Sequence, residues 1–146
     1  MHDFPHKYIA TAYAPPEGDV TVEAEQLPPL STAAPTQFGG PGNRWSPEML
    51  LVAAVADCVV LTFRAIARAS KFPWNRLSCE VDGTLDQVDR VTRFTHFTVR
   101  ASLSVPPATS KERALRILQK AKETCLITNS LNAEATLDPR IIVSSE

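Results

Sequence analysis

Two of the three cysteines stand where thiol chemistry could be done. Cys58 falls at the centre of the apolar run SPEMLLVAAVADCVVLTFRAIARAS, residues 46–70, and Cys125 closes the apolar stripe of a second amphipathic stretch. Each has two readings: a free cysteine packs as a small hydrophobe, or an apolar setting shelters a reactive sulfur. Two inward cysteines, one on each helix, point further toward chemistry than either does alone. The reactive form is the thiolate, and apolar surroundings oppose it unless a positive group compensates. A reactive Cys58 therefore calls for an arginine. Arg44, in the Gly-rich GGPGNRWSPE, could be folded inward by its loop, whereas Arg64 and Arg68 read as solvated charges at the C-terminal end of a helix. Glu48 suits the first turn of that helix through the macrodipole; alternatively it could fix an arginine by a bidentate pair. Cys79 alternates inward on a strand with no charged neighbour on its face and reads as structural.

These residues need elements to position them. KYIATAYA and DVTVEAEQL, split by the turn signal PPEGD, predict two strands of a hairpin. PPLSTAAPTQFGGPGNRWSP follows as a loop of about 20 residues, a length that is usually functional or pinned against a partner. Ser46 as N-cap and Pro47 at the first helical position open a long helix, which KFPW stops because the residue before Pro73 avoids helical geometry. Leu51, Ala54, Val55, Cys58, Leu61, Thr62 and Ala65 recur at steps of three and four and mark one buried face. Val52, Ala53, Ala56, Val59 and Val60 lie off that stripe. The helix is thus apolar on several sides, and a second copy of the chain would cover what one copy leaves bare.

RLSCEVDGTLDQV and RFTHFTVRASLSV alternate as two longer strands joined at DQVDR, the second burying Phe97, Val99, Ala101, Leu103 and Val105. A second helix, capped by Ser110 or Thr109, carries the stripe Ala114, Ile117, Leu118, Ala121 and Cys125. CLITNSL reads as a further helical turn, and AEATLDPRIIVSSE as a closing strand. This order is an α+β pattern, helices set on a mostly antiparallel sheet, in one domain spanning 1–146.

Composition excludes several classes. At 146 residues, 44% hydrophobic and 21% charged, the chain can build a core. A net charge of -1 offers nothing to a phosphate backbone, so nucleic acid is not an expected partner. The start MHDFPHKYIATAY lacks the features of a signal peptide, and the most apolar stretch, Met49 to Phe63, is short for a membrane span and interrupted by Asp57. The expected location is the cytoplasm, with no membrane partner. His2, His6 and His96 do not pair with cysteines at zinc spacing, so neither a metal site nor a cofactor is expected.

SPEMLLVAAVADC resembles the N-P-E-E-L…A-x-x-x-C signature of the OsmC/Ohr family of organic hydroperoxide resistance proteins. ILQKAKETCLITNSLNAEATLD is similar to that family's second motif, a lysine-rich helix running into Cys-Pro-x-Ser/Thr and a final strand. FGGPGNRWSPE looks closest to the general OsmC-like branch. The resemblance covers nearly the whole chain and implies an OsmC-like fold: antiparallel sheets, a long central helix and an intertwined homodimer with active sites at the subunit interface.

It also implies thiol peroxidase chemistry, with Cys58 matching the peroxidatic cysteine, Cys125 the resolving one, and Glu48 the glutamate that orients a catalytic arginine. Substrate would be an organic hydroperoxide, and the reductant an external dithiol, lipoyl-type in some members. The chain departs from the pattern at Gln37, where the family carries arginine in a T-R-F-like context, so that Arg44 is the substitute candidate. It departs again at Ala56, often histidine, and at Leu126, where the family carries proline. Asp57 directly precedes Cys58, and a carboxylate there would raise the thiol. Gln37, Phe38, Leu51 and Phe63 are the expected substrate-wall residues. The rival class is a non-enzymatic dimer of the same fold that binds an apolar small molecule, its cysteines serving as core filler.

Overall fold

The computed structural model describes residues 2–144. The chain divides into two units, Met1–Leu51 and Val52–Glu146.

The first unit is built on a three-stranded antiparallel sheet, β1 (Thr11–Tyr13), β2 (Val20–Glu23) and β3 (Leu30–Thr32), in the order β1-β2-β3. The hairpin expected from the two alternating stretches is present, with Ala12 opposite Val22. The strands are shorter than their alternating stretches, and Gly18 takes a positive φ of 100° in the turn. The expected loop that follows is partly structured. Leu30–Thr32 pairs with β2, Leu30 lying opposite Val22, because β2 would otherwise leave a row of unpaired amides. Thr36–Phe38 forms a short 3-10 turn, closed by Gly39 at φ 86°.

Helix α1 runs from Pro47 to Ala69. Ser46 caps it, its hydroxyl accepting from the Met49 N–H at 3.1 Å. The stop is made ahead of Pro73, at Ala69. Lys71 adopts a left-handed φ of 53°, while Phe72 N–H reaches the Ala67 carbonyl at 2.9 Å and Lys71 N–H the Arg68 carbonyl at 3.2 Å. Those two bonds are the paired closure of a Schellman motif. Arg113 reinforces this end, donating to the Ser70 carbonyl at 2.7 Å and lying over the Phe72 ring. With 23 residues, α1 is long and apolar enough to cross a membrane by length and composition alone. The expectation of too short a stretch fails because the helix extends beyond both Met49 and Phe63.

The second unit is a three-stranded sheet, β4 (Arg76–Val88), β5 (Val91–Val105) and β6 (Glu134–Val143), in the order β4-β5-β6. β4 and β5 form a long hairpin with an irregularity between Thr84 and Leu85. Its turn is tighter than DQVDR suggested, only Asp89 and Arg90 lying outside the strands, both at positive φ, as primed hairpin turns require. β6 pairs parallel to β5, with Leu103 opposite Ile141. A parallel neighbour needs a crossover, and α2 (Lys111–Glu123) followed by α3 (Leu126–Asn129) supplies it. Ser110 is the α2 cap, accepting from Arg113 N–H at 3.2 Å.

The core of this unit gathers Phe63 and Ala67 of α1, Ala101, Leu103 and Val105 of β5, and Ala114, Leu118 and Ala121 of α2. Phe63 is fully enclosed, its ring edge-on to Phe72 and Trp74 with centroids 6.4 and 5.2 Å away. The buried row of α1 is Val55, Val59, Phe63 and Ala67, with Cys58 beside it. This row is turned from the expected stripe: Leu61 is 51% exposed and Ala65 is exposed, while Val59 is fully buried. A run apolar on all sides gives no polar contrast to mark which row meets the sheet. Gly83 lets the helix come close, since a Cβ there would sit 2.9 Å from Val52 Cγ2 and 3.0 Å from Phe97 Cε1.

Candidate active site

Cys58 and Cys125 meet inside the second unit. Cys58 is carried by the middle of α1, at a point where the helix turns one row of side chains inward. Cys125 ends the stripe of α2 and serves as the N-cap position of α3, with extended φ and ψ of -63° and 111°. That break between two helices brings the sulfur and the first amides of α3 to the same place. Both cysteines are buried and both are free thiols.

The two sulfurs interact directly and are driven apart in acidity. Removal from water pushes the Cys58 thiol up. Against this, the Ile127 N–H, the Cys125 thiol, the Thr62 hydroxyl and the Leu126 N–H all donate to it, and together they bring Cys58 below the ordinary thiol value. Burial chiefly holds Cys125 above that value. The Thr128 N–H and hydroxyl oppose the rise, and the neighbouring Cys58 sulfur adds to it. The Thr62 oxygen stands 3.8 Å from Cys58 Sγ. The pair thus holds one sulfur disposed to ionise and one disposed to keep its proton. Asp57, expected to raise Cys58, is exposed, where solvent screens its charge.

Cys79 differs from both. It packs against the apolar core from β4, and burial alone pushes its thiol up to about 11. It is a structural cysteine, as its strand position suggested.

The remaining expected residues lie as follows. Arg44 belongs to the first unit, where its Nε donates to Asp19 Oδ2 at 2.9 Å. Glu48, also in that unit, has one carboxylate oxygen shielded from solvent with no hydrogen-bond partner among the described residues. Glu48 and Phe38 line a cavity of about 530 Å³ within the first unit, together with Val22, Thr32 and Leu50. Leu50 lines it where Leu51 was expected. Phe38 is 60% exposed, and Gln37 precedes it in the 3-10 turn. Phe63 is placed in the packed core instead, leaving it no surface to present to a ligand. Cation-based reasoning missed Thr62, Leu126 and Ile127 as partners of Cys58. For Thr62 a signal was present, since residues four apart share a helix face; for the two amides no side-chain pattern exists to be read. Among the described residues no cluster of three His, Cys, Asp or Glu side chains is placed to hold a metal ion.

Comparison with known proteins bears on this thiol pair. A family model described as OsmC-like protein matches residues 40–140, which include both Cys58 and Cys125. Peroxiredoxin OsmC of Escherichia coli (strain K12) is 29% identical over 122 residues, covering 84% of this chain and 84% of that protein. The uncharacterised protein YmaD of Bacillus subtilis (strain 168) is 24% identical over 147 residues, covering 97% of each. A solved OsmC-like protein of unknown function from Vibrio cholerae O1 biovar eltor str. N16961 shares the fold with a TM-score of 0.83. Its identity is 19%, and the match covers 92% of this chain and 99% of that one.

Proposed function

This chain belongs to the OsmC-like protein family, and on that premise we propose that it is a cysteine-based peroxidase that reduces organic hydroperoxides to alcohols. The observation that carries this reading is that Cys58 and Cys125 are both buried and close enough for each sulfur to shift the other's acidity, Cys58 downward and Cys125 upward. One buried thiol would be filler; two buried neighbours that differ in acidity suit a redox couple.

The steps follow from the chemistry of sulfur. The Cys58 thiolate attacks the terminal oxygen of the hydroperoxide. The O–O bond breaks, an S–O bond forms, and the alkoxide leaves and takes up a proton to become the alcohol. Cys58 is oxidised by two electrons to a sulfenic acid, and the peroxide is reduced by the same two. The Cys125 thiol then attacks that sulfur, water leaves, and a Cys58–Cys125 disulfide results. An external dithiol, lipoyl-type in this reading, exchanges with the disulfide, restores both thiols and is itself oxidised to a cyclic disulfide. By family pattern Glu48 orients a cation; with Gln37 at the family's arginine position, Arg44 is the candidate to supply it in this reading. The shielded, unpartnered oxygen of Glu48 supports a guanidinium partner for it, and exposed Phe38 offers apolar surface to the organic group.

The working unit in this proposal is a cytoplasmic homodimer. Leu61 supports a second copy, being half exposed on an otherwise apolar helix. Light scattering on the purified chain tests this, with twice the monomer mass expected and a monomer overturning it.

Treatment of the reduced protein with one equivalent of cumene hydroperoxide, followed by non-reducing peptide mass spectrometry, tests the chemistry. A Cys58–Cys125 linked peptide is expected. A Cys58→Ser protein that consumes the peroxide at the wild-type rate overturns the proposal.

A further inference from the structure

The walls of the 530 Å³ cavity in the first unit are almost wholly apolar, Ala12, Val20, Val22, Phe38 and Leu50 among them. That volume lies within the range of about 300–1,000 Å³ that small-molecule sites span. Two polar side chains interrupt the apolar wall, Thr32 and Glu48. Thr32 is already engaged, its hydroxyl donating to the Val20 carbonyl at 3.4 Å. Glu48 is not: one carboxylate oxygen is shielded from solvent and has no hydrogen-bond partner among the described residues. A shielded carboxylate left without a donor is costly.

The unit has little of its own to offer Glu48. Its only lysine and arginine are Lys7 and Arg44. Arg44 is held by Asp19 at 2.9 Å, and Lys7 lines a different cavity, with Tyr8, Glu23 and Leu27. Among the described residues, then, the cavity has apolar walls, one acidic side chain and no basic one.

We propose that this cavity binds a small apolar molecule bearing a protonated amine, with its hydrocarbon part against Phe38 and Leu50 and its ammonium on Glu48. An ammonium gives three N–H donors from a compact head, and a charge-assisted bond gains strength where apolar walls keep water away. A neutral molecule of the same shape gains the apolar contact without the ion pair. The proposal goes beyond the peroxidase reading and does not rest on it: the ligand carries no peroxide bond, and its binding is measured without turnover. The ammonium takes the place beside Glu48 that the peroxidase reading gives to Arg44, and one titration tells the two apart.

Calorimetric titration of the full, reduced chain at neutral pH compares phenylbutylamine with its neutral isostere phenylbutanol and with the anion phenylbutyrate. The amine is expected to bind about tenfold to a hundredfold tighter than the alcohol, and phenylbutyrate weakest of the three. Glu48→Gln keeps the shape and removes the charge; it is expected to erase the preference for the amine and to leave alcohol binding where it is. Arg44→Ala is expected to leave all three affinities unchanged. Equal affinity for amine and alcohol, or no binding of either, overturns the proposal. So does amine binding that emerges only in Arg44→Ala, because Arg44 then already serves Glu48. Should Glu48→Gln fail to fold, the wild-type comparison of amine with alcohol decides. A chain that prefers the amine yet consumes no hydroperoxide overturns the peroxidase reading and leaves this one standing.

Discussion

The Cys125 thiol donates to Cys58, joining the break between α2 and α3 to the middle of α1. The donor is the weaker acid of the pair, so Cys58 ionises before Cys125 as pH rises. In the proposed reaction that asymmetry sets the order of events: Cys58 would react first and Cys125 second. Replacing Cys125 by serine keeps a donor beside Cys58 but removes the second thiol. The Cys125→Ser protein is expected to halt at the Cys58 sulfenic acid, which dimedone traps and mass spectrometry reads. Absence of the adduct after one equivalent of hydroperoxide would contradict the assignment of the two roles.

Cys79 yields a prediction about stability and pH. In the unfolded chain its thiol ionises near 9.0; in the fold burial defers this to about 11. Below the first value both states keep the proton and the contribution of the buried neutral thiol is complete. As pH climbs between the two values the unfolded state alone loses the proton, and stability falls. The stability advantage of wild type over Cys79→Ala should shrink by about 2 kcal/mol from about pH 8 to about pH 11, measured by urea denaturation at each pH. A constant difference would place Cys79 in contact with water.

Phe63 separates core from site. Its ring is enclosed edge-on to Phe72 and Trp74, so Phe63→Ala should cost about 3–5 kcal/mol. Gly83→Ala forces a methyl against Val52 and Phe97 and should cost about 1–3 kcal/mol. Thermal melts of the two variants check both figures.

The Arg44–Asp19 pair is exposed on both sides. Asp19→Asn should therefore change stability by less than about 1 kcal/mol. A larger loss in denaturant titration would show that the first unit depends on this ion pair.

The features legible in the sequence are those that side-chain patterns encode. Ser46, Ser110, the inward row of β5 and the stripe of α2 were all readable because each rests on a local chemical contrast. The turn of α1 was not: Val59 and Leu61 are equally apolar, and only the sheet decides that Val59 is buried and Leu61 is not. β3 was hidden because Leu30–Thr32 is a strand through its neighbour β2 rather than through alternation of its own. The parallel placement of β6 depends on a crossover that no residue in β6 announces. At Cys58 a sequence displays side chains alone; the Leu126 and Ile127 amides carry no letter of their own.

The parallel registry of β6 beside β5 has a consequence during synthesis. Cys125 lies in the crossover that leads to the last strand, so a ribosome releases Cys58 long before the chain can dock that strand and seat its companion sulfur. Until then Cys58 stands without the crossover groups that lower its thiol. Truncation before Glu134 would make that transient state permanent.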